Sequence, residues 1–196
     1  MYFDQTRCTG CSACRVACKD WFDVPSGEAS RLRILYNEVG QWPNVQVKYS
    51  VMACYQCLNP VCVDACPEDA LFKRDEDGIV DINLDACVGL DKCGGGCLKA
   101  CPYEAPQFAA ETNPKMWKCD FCVDRLDEGQ PAVCVGSCPT RALDVGPLDA
   151  LKKMYGENNG EVKTSKTGKV KVSREDEFFV SKRVNPALVI KPKITA

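Results

Sequence analysis

The chain has 196 residues, with sixteen cysteines, no histidine, and 25 Lys and Arg against 27 Asp and Glu. Without histidine there are no imidazole general bases, no Ser-His-Asp or Cys-His nucleophile pairs, no zinc sites of mixed Cys and His, and no Rieske-type ligation. The balanced charge offers no basic field to track phosphates, so nucleic acid is not an expected partner. The most apolar stretch, Pro186 to Ile190, is cut short by Lys191 and Pro192, so no segment is expected to span a membrane.

Residues Met1 to Arg7 hold no apolar run of the kind a signal peptide needs, and unpaired thiols in this number suggest synthesis in a reducing compartment. The first cysteine run follows, Cys8-x2-Cys11-x2-Cys14-x3-Cys18. An insert comes next, in which Arg31 to Tyr36 and Val45 to Tyr49 alternate as strands should. The second run is Cys54-x2-Cys57-x4-Cys62-x3-Cys66-Pro67. Ala70 to Lys73 and Ile79 to Ile82 then flank the polar turn Arg74 to Gly78, which predicts a short β-hairpin. The third run is Cys87-x5-Cys93-x3-Cys97-x3-Cys101-Pro102, and the fourth is Cys119-x2-Cys122-x11-Cys134-x3-Cys138-Pro139. Each run reads as a loop leading into one helical turn. Proline after Cys66, Cys101 and Cys138 turns the preceding residue away from helix, so those turns should stop at the cysteine. Past the ligands, Leu148 to Tyr155 predicts an amphipathic helix ended at Gly156. Glu161 to Thr164 and Lys169 to Val172 suggest an exposed hairpin, and 185–196 an extended tail.

All four runs end in Cys-x3-Cys, and Cys66-Pro67-Glu68-Asp69-Ala70-Leu71 is echoed by Cys138-Pro139-Thr140-Arg141-Ala142-Leu143. That is the pattern of a duplicated two-cluster unit. A 4Fe-4S cube needs four soft thiolates around a compact object, and closely spaced cysteines on a tight loop present three of them. In two-cluster ferredoxins the fourth cysteine of a run ligates the other cluster, so runs interlock. Sixteen cysteines then complete four cubes. A zinc scaffold would need paired Cys-x2-Cys knuckles, which only the second and fourth runs approach. A disulfide framework would need an oxidising compartment. The third run departs from the pattern, because Leu90 stands where a second ligand is expected and Gly94-Gly95-Gly96 separates Cys93 from Cys97. A 3Fe-4S centre is the alternative there, while the glycines could bend the backbone so that Cys93 serves as the substitute ligand. Arg7, Arg15, Lys19, Lys118 and Arg141 are candidates to offset anionic clusters, or are ordinary solvated bases. Trp21, Phe22, Tyr103, Phe108, Trp117 and Phe121 are candidates to shield clusters from water, or are ordinary packing.

Four segments carry a close resemblance to a known family: Asp4-Gln5-Thr6-Arg7-Cys8-Thr9-Gly10-Cys11, Cys57-Leu58-Asn59-Pro60-Val61-Cys62, Ala100 to Phe108, and Lys118 to Arg125. Val189-Ile190-Lys191-Pro192 is similar to its tail. The family is that of the four-cluster, ferredoxin-like electron-transfer subunits of the dimethyl sulfoxide reductase superfamily of molybdenum and tungsten enzymes. The resemblance implies one cube on Cys8, Cys11, Cys14 and Cys138, and another on Cys119, Cys122, Cys134 and Cys18. It implies a third on Cys54, Cys57, Cys62 and Cys101, and a fourth on Cys87, Cys93, Cys97 and Cys66. It also implies a wire between a large molybdopterin catalytic subunit and a quinone-facing membrane subunit or other redox partner, with no catalysis by this chain alone.

The expected fold is α+β: a duplicated bacterial-type two-cluster ferredoxin with short hairpins, loops and an extended C-terminal tail. Residues 1–24 and 108–147 would form an outer unit, 50–107 an inner unit, 25–49 an insert, and 148–196 the helix, hairpin and tail. The competing function is a free soluble polyferredoxin, which needs neither insert nor tail. The expected location is cytoplasmic, or exported folded with a catalytic partner that bears the signal.

Overall fold

Short elements dominate, because each cysteine run keeps its backbone bent around its thiols. In the computed structural model, which describes residues 1–156 and 184–191, the order along the chain mixes helices and strands. It reads β1 (Tyr2–Asp4), α1 (Ala13–Trp21), β2 (Leu32–Gln41), β3 (Asn44–Ala53), α2 (Val61–Asp64), β4 (Leu71–Lys73), β5 (Val80–Ile82), α3 (Leu90–Cys93), α4 (Gly96–Ala100), β6 (Gln107–Phe108), β7 (Met116–Trp117), α5 (Val123–Asp127), α6 (Val133–Gly136), β8 (Leu143–Asp144), α7 (Leu148–Tyr155) and β9 (Val189–Lys191).

The Cys-Pro stops behave as the sequence predicts. Helices α2, α4 and α6 are single turns, and Cys101 at the end of α4 is already extended at φ −73 and ψ 118. Helix α1 is different. It continues past Cys18 to Trp21, nine residues in all, because Lys19 follows Cys18 where the other runs carry proline. The expectation of one turn per run therefore fails at the first run. It also fails at the third and fourth, where the longer gaps between Cys87 and Cys93 and between Cys122 and Cys134 each hold an extra turn, α3 and α5.

The insert forms a ten-by-ten antiparallel hairpin, registered from Leu32 opposite Ala53 to Gln41 opposite Asn44, with Trp42 and Pro43 at its tip. It is longer than the alternation in the sequence indicates, because Asn37 to Gln41 are too polar to carry a period-two signal. Its base is buried at Leu32, Val51 and Ala53, while Tyr36 midway along it and Trp42 at the tip are 72% and 88% exposed. The hairpin expected around Arg74 to Gly78 is present as β4 and β5, with Leu71 opposite Ile82. Strands β6 and β7 add a second small hairpin that the sequence does not announce.

Strand β1 organises a three-stranded sheet. It pairs antiparallel with β8, immediately after the fourth run, and parallel with β9 near the C-terminus. Helix α7 runs from Leu148 to Tyr155 and ends at Gly156 (φ 83), as predicted. It is pinned by stacking of Tyr155 on Tyr2 (centroids 3.7 Å apart) and by the Tyr155 hydroxyl donating to Asp144 at 2.7 Å. The hairpin expected over 161–172 and the end of the tail, 192–196, lie outside the described residues. The main core gathers Phe3, Leu32, Val51, Tyr55, Tyr103, Leu143 and Ile190 with seven cysteines, and a smaller one joins Leu71, Val80 and Met116 to Cys62 and Cys97. Thiols are thus part of the packed interior itself.

Candidate functional site

Nine of the sixteen cysteines are buried and only Cys11 is exposed. None is in a disulfide. Eight of them line two voids, each with three cysteines of one run and one of another.

The first group is Cys8, Cys11, Cys14 and Cys138, which line a pocket of about 320 Å³ closed by Phe3, Ile34, Val51 and Leu143. Cys8 and Cys11 lie on a loop that reverses through two left-handed residues, Gly10 (φ 70) and Ser12 (φ 62). A Cβ at Gly10 would lie 2.2 Å from the Tyr49 ring, so the insert hairpin presses directly on the ligand loop. Cys138 arrives from the far end of the chain. Its sulfur accepts from the Ala142 backbone N–H at 3.3 Å and lies 3.6 Å from the Thr140 hydroxyl. Burial pushes the Cys138 thiol up, but these hydrogen bonds outweigh it and hold the group below its ordinary value. Cys14 behaves oppositely: burial, aided by Cys138, Cys8 and Cys11, pushes it up to about 11.

The second group is Cys66, Cys87, Cys93 and Cys97, around a pocket of about 350 Å³ with Pro67, Val88, Phe108 and Met116. The irregular third run has its own backbone solution. Left-handed Gly94 (φ 69) and Gly95 (φ 68) break the chain between α3 and α4, so that Cys93 and Cys97 face the same void. Leu90 does not line the pocket; it packs over Gly95, where a Cβ would come within 2.7 Å of its Cδ1. Gly96 lets α4 approach the second run so closely that a Cβ there would be 2.5 Å from the Ala65 carbonyl oxygen. Four cysteines thus line this pocket, as four line the pocket at Cys8.

The remaining eight cysteines line neither of these pockets, but their thiols crowd one another. Burial pushes Cys57 far up, and Cys54, Cys101 and Cys62 push it further. Cys62 rises to about 12 by burial and the same neighbours, with Lys118 pulling against them. Burial raises Cys134, with Cys122 and Cys18 adding to it. Cys18 reaches about 12, through burial and Cys122, with Arg31 opposing. Cys119, raised chiefly by burial, is crowded by Asp120, Cys134 and Cys18 and also by Cys54. At the cysteines raised in this way the neutral thiol is favoured when nothing is bound, and occupation by iron must release their protons.

Of the five bases singled out in the sequence, Lys118 alone is buried among ligands, 1% exposed, with Nζ 4.0 Å from the Cys54 sulfur. Lys19 instead ties down the loop carbonyls of Gly27 and Ala29 at 3.0 Å, and Arg141 donates to Gly136. The sequence reading missed Arg31, which is buried at the base of the insert. Its guanidinium lies 3.6 Å over the Phe22 ring and pairs at 2.7 Å with Asp120, between Cys119 and Cys122. It had no signature to find, being one arginine in an alternating strand. Among the aromatics, Phe108 lines a cysteine pocket and Tyr103 and Phe121 are buried in the core. Trp21 is half exposed and donates to Asp124.

Sixteen soft donors in fours, each described pocket walled by apolar side chains and the thiols surrounding a void, suit a four-iron cluster. Among the described residues no group of three Cys, Asp or Glu side chains is poised to hold a single metal ion. The fold and the donors define an iron-sulfur protein of the ferredoxin type. Comparison with known proteins agrees: residues 45–148 match the 4Fe-4S dicluster domain. The B subunit of the anaerobic dimethyl sulfoxide reductase of Escherichia coli K12 is 43% identical over 164 residues, covering 80% of this chain and 77% of that protein. The protein of the same name from Haemophilus influenzae is 40% identical, over 79% and 77%. Protein NrfC of Escherichia coli K12 is 40% identical over 151 residues, 76% of this chain and 65% of its own. The chain belongs to the family of four-cluster iron-sulfur subunits of the dimethyl sulfoxide reductase type. It is an electron-transfer subunit of a reductase complex, not the catalytic chain, and its cofactors are four 4Fe-4S clusters. Among the described residues no helix is long and apolar enough to cross a membrane.

Proposed function

We propose that the chain relays electrons between a large molybdopterin catalytic subunit, with molybdenum or tungsten, and a membrane-anchored quinone-linked subunit or a soluble redox partner. The ligand sets are Cys8, Cys11, Cys14 and Cys138; Cys119, Cys122, Cys134 and Cys18; Cys54, Cys57, Cys62 and Cys101; and Cys87, Cys93, Cys97 and Cys66. The observation that carries this reading is that two pockets are each lined by three cysteines of one run and one of another. That interleaving is the signature of two-cluster ferredoxins. Each bound cluster supplies a one-electron couple; the chain supplies spacing, burial and hydrogen bonds to the sulfurs.

The duplication is supported by the two echoed Cys-Pro segments, each of which leads straight into a strand, β4 after Cys66 and β8 after Cys138. On this reading 1–24 with 108–147 form the outer unit, 50–107 the inner unit, 25–49 the insert, and 148–196 the closing segment. Neighbouring groups also suggest a linear order. Cys14 crowds Cys134, Cys119 is crowded by Cys54, and Gly96 abuts Ala65. The relay would then run from the Cys8 set through the Cys119 and Cys54 sets to the Cys87 set. The exposed Tyr36 midway along the insert hairpin and Trp42 at its tip favour a docked subunit over a free carrier, which gains nothing from an apolar projection. Location follows the partner: cytoplasmic, or exported folded with a catalytic subunit that bears a signal.

The test is anaerobic purification of the complex with its iron, sulfide and pterin measured. About sixteen irons per chain and a co-eluting pterin-containing large subunit are expected. Zinc in place of iron, or a monomeric brown protein with no partner, would overturn the reading.

A further inference from the structure

Lys118 is among the largest fully buried side chains of the molecule, yet it ends in an ammonium. Its Nζ donates to the Val80 carbonyl and to the Cys119 carbonyl at 2.8 Å, and it approaches the Cys54 sulfur at 4.0 Å. An ammonium has three donors, and these are three acceptors. Gln56 braces the same spot, donating to the Cys119 carbonyl at 3.0 Å and accepting from the Val80 N–H at 2.8 Å. Cys119 and Cys54 belong to different ligand sets, one in each half of the proposed relay. The other buried cation near thiols, Arg31, is neutralised by Asp120. Among the described residues no carboxylate forms an ion pair with Lys118. A buried cation needs a counter-charge, and the anionic group on offer beside this one is the Cys54 sulfur once it ligates a cluster.

We propose that Lys118 is the residue that sets the potentials of the two central clusters, those on the Cys54 and Cys119 sets, by holding a fixed positive charge between them. The proposal rests on the ligand sets given above. Reduction adds one negative charge to a cluster, and no proton need enter beside a cation already in position. The charge and its N–H donors stabilise the reduced form of both neighbours, so their potentials are raised together. The Cys8 and Cys87 sets, which Lys118 does not touch, are unaffected. The two central stations are thus kept from becoming the hard step in the relay.

The experiment is a redox titration of the intact complex followed by electron paramagnetic resonance, comparing wild type with Lys118→Gln, Lys118→Met and Lys118→Arg. Four couples in the wild type uphold the ligand reading before any variant is compared. Lys118→Gln, which keeps a donor and loses the charge, is expected to move two couples negative. At the wild-type midpoint their oxidised-to-reduced ratio rises at least threefold, while the other two couples stay in place. Lys118→Arg retains the wild-type pattern. Lys118→Met matches Lys118→Gln if its iron is retained; if iron is lost, the Gln and Arg variants decide. Unchanged couples in an iron-replete Lys118→Gln, or all four moving alike, would overturn the assignment, even if both neutral variants melt earlier.

Discussion

The pockets at Cys8 and at Cys87 are close in size, about 320 and 350 Å³, and each is lined by four cysteines, but their walls come from different distances along the chain. The Cys87 pocket is built from residues 66–116, with three ligands on two single-turn helices hinged at Gly94 and Gly95 and on the loop before them. The Cys8 pocket is built from residues as far apart as Phe3 and Leu143, and it is propped from outside by the insert hairpin through Ile34, Val51 and Tyr49. Two spacings, x2-x2 and x5-x3, therefore reach the same end. Cysteine spacing measures chain length, whereas ligation depends on where the sulfurs point, and an added helical turn with two left-handed glycines restores the direction.

The comparison is broken most severely at the crossing ligands. Cys138→Ser and Cys66→Ser should each remove or degrade one cluster and leave the other three, with iron falling from about sixteen to about twelve per chain. Iron analysis with electron paramagnetic resonance checks this, and unchanged iron in Cys66→Ser would show that the inner pocket is not a ligand set. Next in size is Arg31→Met, which strands the partly buried Asp120 between Cys119 and Cys122 in the chain. Breaking such a pair is worth about 3 kcal/mol. The outer half should melt earlier in calorimetry and lose iron first, while the Cys87 set keeps its signal.

The glycines sharpen the contrast at a smaller scale. Gly96→Ala sets a Cβ against a backbone carbonyl that cannot move aside, an overpacking of about 1–3 kcal/mol. A Tm lower by several degrees is expected. Gly10→Ala collides instead with the half-buried Tyr49 ring. Adding Tyr49→Ala should recover part of that loss, whereas no single side-chain truncation rescues Gly96→Ala. If both glycine variants respond alike to Tyr49→Ala, the two pockets are not separately supported.

The smallest effect concerns pH and the sheet that closes the outer half. Burial, then the Asp4 carboxylate and its hydrogen bond, push the Tyr2 phenol up to about 12. The folded state thus prefers the neutral phenol. Its contribution is fully present below the unfolded value near pH 10 and is lost as pH rises toward 12. Tyr2→Phe should keep its stack on Tyr155 and show a shallower fall in Tm between pH 8 and 11 than the wild type.

Much of this was readable in one dimension where the controlling interactions are local. The proline after Cys66, Cys101 and Cys138 acts on the residue beside it, the β4–β5 hairpin closes over a five-residue turn, and Gly156 ends α7 within its own last turn. What was not readable depends on contact between distant segments. Strand β1 is three residues long and has no pattern of its own; it exists because β8 and β9 lie on either side of it. Arg31 and Gln56 look like surface residues of unexceptional segments until Asp120, Cys119 and Val80 close around them. Leu90 stood at a ligand's place in the count and turned out to be packing for Gly95.

By itself, then, the order of residues determined the chemistry of this protein: thiolate-only donors in four runs, with no histidine to do anything else, because side-chain identity decides which metals can be held. Only the tertiary structure decided which thiols face the two described voids, that a buried lysine approaches the Cys54 sulfur, and that Cys93 lines the third run's void while Leu90 packs over Gly95. Those outcomes depend on directions and distances between segments far apart in the chain, which a spacing counted along the sequence does not contain.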